Sequence, residues 1–376
     1  MQNFDIHLCL VSAQAAPNFL PITDDEFKPK EAIFLVSNAM HKQAEFLEKA
    51  FQSKQVKVTK YFCNNAWDLK ELNQVLLNIA TDYADQNLAI NLTGGTKLMT
   101  IAAQNVFDGE KPLFYFNDKN IMIINGDKTS NFNLNCKIKI KEYLMAYGQL
   151  HVDSQSNNIR QRFIDVADYI TNHYYQLEES INIVNGYTTK CGLETHKVKL
   201  EPKDLHNDKL KDYLSYLHQQ RLINFGGVSI NFINEENRLF LAGGWLEDYT
   251  IHAVRQLQKK KDIIQDSLYN YKSIFGDTTL NYISNNSETD VIFMANNIMY
   301  IIECKTGKMK NQAYPILYKL GSRQKMGGIK TKVCLVSFKS LPEGALEYAS
   351  HEHIKVIQAH ALARLDEKLL EWINEK

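Results

Sequence analysis

The stretch Asp290–Lys305, DVIFMANNIMYIIECK, decides how the last third of the chain reads. Two apolar, strand-forming runs flank Asn296 and Asn297, and Asn-Asn serves as a two-residue hairpin turn because asparagine tolerates positive φ. If Ala295 faces Ile298, the register follows: Met294 faces Met299, Ile292 faces Ile301, and Asp290 faces Glu303. Side chains alternate along a strand, so both carboxylates share one face with Lys305, two residues beyond Glu303. Opposed residues of an antiparallel pair hold their Cβ atoms about 5 Å apart, where like charges repel. A divalent cation between Asp290 and Glu303 turns that repulsion into coordination, so the face reads as a metal site with a lysine beside it. The bland alternative is a solvated face. Against it, the same face carries Ile292, Met294, Met299 and Ile301, whereas a solvated face is polar throughout.

Upstream, GGWLEDYTIHAVRQL begins with Gly243 and Gly244, which end an expected strand NRLFLAG. Trp245, Tyr249, His252, Ala253 and Gln256 then recur at helical spacing, with Glu247 in the first turn. Downstream, an edge-like strand LYNYKSIF precedes the hairpin. After it come a helix in YPILYKLGSRQKM, the strand KVCLVSF, a helix near GALEYAS, the strand IKVIQ and a final helix. Gln324 and Lys325, near the end of one helix, are candidates to face the site.

An acidic residue starting one strand of a hairpin and E-x-K on the next, here Asp290 and Glu303-Cys304-Lys305, resembles the signature of PD-(D/E)xK nucleases. The proline that usually precedes the Asp is Thr289 here. The family also carries a Glu on the helix before the sheet, a position that Glu247 matches. Residues 243–376 follow the element order of that nuclease core. The resemblance implies catalytic roles for Glu247, Asp290, Glu303 and Lys305. Mg²⁺ or Mn²⁺, hard cations that prefer oxygen, are expected on Asp290, Glu303 and the carbonyl of Cys304. The expected reaction is metal-assisted phosphodiester hydrolysis of DNA and/or RNA, with Lys305 offsetting charge in the transition state.

The first third reads differently. DIHLCLVS and AIFLVSN are apolar nearly throughout, as buried parallel strands are. They alternate with helical patterns in HKQAEFLEKAFQSK and from about Trp67 to Ala84, then with the strand Leu88–Leu92, a helix from Lys97 and the strands PLFYF and IMIIN. This alternation predicts a Rossmann-like α/β domain over 1–148. Thr93-Gly94-Gly95-Thr96-Lys97 falls between a buried strand and a helix start. Glycines let a ligand approach the backbone, the helix N-terminus offers unpaired N–H groups, and Lys97 adds charge, so phosphate is the expected guest. An ordinary βα turn capped by Thr is the competing reading. The switch-point rule brings Ser12, Gln14, Ser37 and Met40, at the ends of the first two strands, to the same cleft.

NLTGGTK at this junction resembles the CARF domain, the sensor of cyclic oligoadenylates in type III CRISPR systems. That resemblance implies a homodimer binding one ring across its two-fold axis, with Thr93, Gly94, Gly95, Thr96 and Lys97 as ligand residues. Taken together, the two resemblances imply a single-chain accessory nuclease activated by cyclic tetra-adenylate. CARF-linked HEPN ribonucleases carry R-x-x-x-x-H, and no arginine here has His five residues on.

Between the two domains, residues 149–242 carry amphipathic helices in RQRFIDVADYITNHYYQL and KLKDYLSYLHQQRLI, then strand-like runs in GVSINFI and NRLFLAG. This is a connector of winged-helix-like pattern. It sustains a rival reading: a ligand-responsive transcription regulator that binds DNA through the connector and keeps an inactive nuclease fold.

The 376 residues, 44% hydrophobic, suffice for two or three cores. Lys plus Arg balances Asp plus Glu at 43 each, so no overall basic charge announces nucleic acid. The first arginine is Arg160, so an anion bound by the first third is held by lysines, hydroxyls and backbone N–H groups. Six cysteines without a CxxC pair argue for buried thiols rather than a zinc ribbon or disulfide framework. No apolar run is long enough for a bilayer and no basic leader precedes the first apolar segment, so a cytoplasmic protein without membrane contact is expected.

Overall fold

The strand-helix alternation of the first third becomes a seven-stranded sheet in the computed structural model, which describes residues 3–117, 119–155, 159–191, 196–277 and 282–375. Its strands are β1 (Ile6–Leu10), β2 (Glu31–Ser37), β3 (Lys57–Cys63), β4 (Leu88–Asn91), β5 (Leu113–Asn117), β6 (Asn120–Asn125) and β7 (Lys128–Asn133). Their order is β3-β2-β1-β4-β5-β6-β7, with β1 to β5 parallel and β6 and β7 added antiparallel. Every residue of β1 is buried because helices cover both faces. α1 (Ala16–Phe19), α2 (His41–Ser53) and α5 (Ile140–Ala146) pack on one face, and α3 (Leu69–Asp82) and α4 (Lys97–Phe107) on the other. The chain order reverses between β1 and β4, so their carboxyl ends open a crevice.

The middle of the chain holds β8 (Gln149–Gln155), α6 (Gln161–Asn172), α7 (Tyr174–Lys190), β9 (Lys197–Lys199), α8 (Asp208–Gln219), β10 (Ile223–Phe225), β11 (Ser229–Phe232) and α9 (Glu235–Leu239). β9, β10 and β11 form a small antiparallel sheet of order β10-β11-β9. RQRFIDVADYITNHYYQL, read as one helix, breaks at His173 into α6 and α7. The expected strand NRLFLAG is helical instead. Asn234 caps α9 by accepting from the Asn237 N–H at 2.8 Å, and Glu235 and Glu236 favour its N-terminus.

The last part contributes α10 (Trp245–Lys260), β12 (Ile264–Asp277), β13 (Tyr282–Ala295), β14 (Ile298–Lys305), α11 (Ala313–Arg323), β15 (Lys332–Ser337), α12 (Glu343–His351), β16 (Ile354–Gln358) and α13 (Leu365–Asn374). They build a mixed sheet of order β16-β15-β14-β13-β12-β8. LYNYKSIF therefore lies inside the sheet, not at its edge: β8, from the first residues of the expected connector, pairs with β12 through Ser273–His151 and Ile274–Leu150. In the hairpin, Asn296 and Asn297 adopt φ of 51° and 66°. The register is the one read from the sequence, Ala295–Ile298 through Val291–Ile302.

Alternation along the hairpin splits its side chains between two cores. Val291, Phe293, Tyr300 and Ile302 pack under α10 and α13. Ile292, Met294, Met299 and Ile301 pack under α11, in a cluster that continues into α5 of the first domain. The two sheets thus share one apolar layer. All six cysteines are buried free thiols, and among the described residues no helix is long and apolar enough to cross a membrane.

Candidate functional site

Four elements bring charge to the end of the hairpin opposite the Asn-Asn turn: α10 carries Glu247, β13 Asp290, β14 Glu303 and Lys305, and α11 Arg323. Ladder pairing stops at Val291–Ile302. In the next step Asp290 accepts from the Cys304 N–H through Oδ2 at 2.7 Å, its side chain replacing a backbone partner. Lys305 Nζ lies 2.7 Å from Glu303 Oε1 and 4.0 Å from Asp290 Oδ2, so one ammonium serves both carboxylates.

The charges shape one another. Burial, then the nearby Glu303, pushes the Asp290 carboxyl up to about 6 against the pull of Lys305. Burial, then Asp290, pushes Glu247 up to about 8. Burial also works upward on Glu303, but Arg323 and Lys305 outweigh it and hold that carboxyl below its ordinary value. Lys305 is raised despite its own desolvation, because Asp290 and Glu303 favour its charged form. These groups lie in and beneath a cleft of about 890 Å³, whose lining includes Glu247, Asp248, Cys304 and Lys305, with Arg160 and Phe163 from the middle of the chain. The cleft floor needs Gly243: its φ is +129°, and an added Cβ would stand 2.4 Å from Thr306 Oγ1.

Glu247, Asp290, Glu303 and Lys305, singled out from sequence, therefore converge. Gln324 and Lys325 do not join them: Gln324 donates to the Glu352 carbonyl at 3.3 Å, and Lys325 is exposed. Arg323 takes that place, buried and bonded to Glu303. The signal was available, since α11 buries Ala313, Leu317 and Leu320, and Arg323 continues that stripe at helical spacing. A charge on an apolar stripe demands a partner. Asp248, pushed up to about 6 by burial and accepting from Tyr269 Oη at 2.6 Å, gave no such signal.

The donors suit a hard divalent cation. Asp290, Glu303 and the Cys304 carbonyl offer only oxygen, and a cation would favour the ionised forms of the half-buried carboxyls Glu247 and Asp290, which burial and mutual repulsion hold protonated beyond their usual range. Among the described residues no three His, Cys, Asp or Glu side chains form a complete metal cage. Such a site relies on water and substrate oxygens to fill the sphere, as magnesium sites usually do.

The second site is a cavity of about 270 Å³ where β1 and β4 end. Ser12, Gln14, Thr93 and Gly95 line it, together with Tyr115 and Tyr147. Ser37, Met40, Gly94, Thr96 and Lys97 do not. Thr96 caps α4 by accepting from the Met99 N–H at 3.2 Å, and a Cβ on Gly94 would stand 2.4 Å from the Leu10 carbonyl oxygen. These two residues serve the turn itself.

A crevice at a switch point joined to a charged hairpin under a cleft defines a ligand-sensing domain coupled to a nuclease fold. Residues 6–143 match the family model of the Card1 CARF domain, and residues 234–376 match that of the Card1-like endonuclease domain. The chain belongs to this family of CARF proteins with a Card1-like endonuclease domain. Protein VC1899 from Vibrio cholerae has the same fold at 22% identity, with a TM-score of 0.90 over 98% of this chain and 97% of that one. Can2 from Sulfobacillus thermosulfidooxidans, solved in complex with cyclic tetra-adenylate, is 21% identical with a TM-score of 0.79, covering 99% and 98%. A type III CRISPR defence DNA nuclease activated by cyclic oligoadenylate matches over 90% of this chain and 46% of its own, at 15% identity and a TM-score of 0.57. No curated protein matches by sequence.

Proposed function

We propose that this protein is a metal-dependent nuclease that cleaves DNA, RNA or both when cyclic tetra-adenylate occupies the CARF cleft, and that it acts as a homodimer in type III CRISPR antiviral defence. The observation that carries the reading is Lys305 in contact with Glu303 and 4.0 Å from Asp290, at the floor of an open cleft. The ligand half draws on Can2, described with cyclic tetra-adenylate, and on the cavity lined by Ser12, Gln14, Thr93 and Gly95.

In this reading Asp290, Glu303 and the Cys304 carbonyl would hold Mg²⁺ or Mn²⁺, which supplies Lewis acidity at the scissile phosphate. Lys305 keeps its proton at neutral pH because both carboxylates raise its pKa, so it presents a fixed positive charge to the substrate's phosphoryl oxygens. Glu247, pushed up to about 8, is the group at this site best placed to exchange a proton near neutrality. Arg160 on the cleft wall adds a guanidinium for the substrate backbone.

The test is cleavage of plasmid DNA and of RNA with Mn²⁺, with and without cyclic tetra-adenylate, for the wild type and for Glu303→Ala and Lys305→Ala. The wild type should cut only with the ligand. Both variants should lose cleavage while binding the ligand unchanged. Ligand-dependent DNA retention without cutting by any form would favour the regulator instead.

A further inference from the structure

The segment between α11 and β15 passes along the CARF cavity and contributes Gly327, Ile329 and Lys330 to its lining. The Ile329 N–H donates to Gln14 Oε1 at 3.0 Å, and Tyr143 Oη donates to the Gly327 carbonyl at 2.8 Å. Gly328 has φ +90°, and a Cβ there would stand 2.5 Å from Tyr147 Oη and 2.7 Å from Gln14 Oε1. Only glycine lets backbone pass so close at that angle.

What this segment shows to the cavity suits a nucleotide. Ile329 is 82% exposed, and Tyr115, also on the cavity lining, is 48% exposed. Two open apolar side chains at one cavity give a base two faces to rest on. Lys330 joins the same lining and brings a cation to a site whose own domain contains no arginine. A multiply charged phosphate ring needs such cations.

We propose that the endonuclease domain completes the nucleotide site, with Ile329 packing on a base and Lys330 meeting a phosphate of the bound cyclic oligonucleotide. The proposal rests on the ligand reading given under Proposed function. Gln14 then holds two offices: its Oε1 fastens the Ile329 N–H in the free protein, and its amide is within the cavity a ligand fills. Ligand contact therefore pulls on a short turn, Gln324–Gly327, whose preceding residue is Arg323, the partner of Glu303. Occupancy in one domain reaches the other's charged centre through a continuous stretch of backbone.

The experiment uses the full chain with cyclic tetra-adenylate as probe, and reads affinity by calorimetry for Ile329→Asp, Lys330→Glu and, as a distant control, Lys128→Glu on β7. All three positions are exposed, and thermal melts of each variant against the wild type separate a loss of ligand contact from a loss of stability. The first two should each weaken binding about tenfold, the loss expected for one base or phosphate contact, and the control by less than about twofold. Wild-type affinity in both Ile329→Asp and Lys330→Glu would overturn the proposal while leaving the ligand assignment standing. Absence of binding by the wild type would overturn the assignment and this proposal with it. Hydrogen exchange gives a second arm: ligand should change exchange of the 324–330 backbone severalfold, and a change confined to residues 10–16 and 92–96 speaks against it.

Discussion

Arg323 donates through Nη1 to Glu303 and through Nη2 to the backbone carbonyl of Glu288, so one buried guanidinium ties the E-x-K strand to the strand that carries Asp290. The sheet ladder ends just short of this point, and the side-chain bonds of Arg323 and Asp290 take over from it. The relative placement of the two carboxylates is thus set by charge as much as by strand pairing.

Removing that guanidinium should therefore cost both stability and activity. Breaking a buried ion pair from one side costs about 3–5 kcal/mol, and Arg323→Ala should fall at the lower end because Lys305 still neutralises Glu303. Arg323→Lys should recover part of the stability but not the second bond to Glu288. Urea unfolding of the three forms measures this; equal midpoints would remove Arg323 from the account.

Metal affinity should depend on pH. Glu247 at about 8 and Asp290 at about 6 are acids held protonated longer than usual, so a cation must displace a proton to bind. Mn²⁺ affinity should climb between about pH 6 and pH 8 and level off above. Glu247→Gln should flatten the upper part of that climb. Calorimetry in two buffers of different ionisation heat would detect the released proton, and a pH-independent affinity would contradict the reading.

Gly243→Ala should destabilise the fold by about 1–3 kcal/mol, from a φ that L-residues avoid and a contact with Thr306 that cannot relax cheaply. Because α10 starts immediately after this turn, displacement of Glu247 should lower cleavage as well. Pairing the change with Thr306→Ala relieves only the contact, so melting should recover in part. Full recovery would place the whole cost in the clash.

His7 lies among Phe27 and Phe114, its ring 4.8 Å and 5.0 Å from theirs, with Nε2 buried and unbonded. Burial lowers its pKa to about 3. Folded protein then binds fewer protons than unfolded protein, whose histidine titrates near 6.5, so stability falls as pH drops from about 6.5 towards about 3, by up to about 1.4 kcal/mol per pH unit. His7→Phe should remove this acid-side slope. Denaturant midpoints at about pH 7.5 and about pH 5 test it: the wild type should lose more than the variant between them.

The hairpin of Asp290–Lys305 could be read without a structure because its information is local. Asparagine tolerates positive φ, strands alternate with period two, and one facing pair fixes all the others, so the sequence alone places Asp290, Glu303 and Lys305 on one face. The βα turn at Thr93–Lys97 was legible for the same reason. The partners that come from far along the chain were not. Arg323 reaches Glu303 across the layer between α11 and the sheet, β8 completes a sheet whose other strands begin more than a hundred residues later, and Gly328 closes on Gln14 from the opposite domain. No local propensity encodes such meetings. They follow from how two apolar faces, each satisfied by several arrangements in isolation, are forced into one when they share a core.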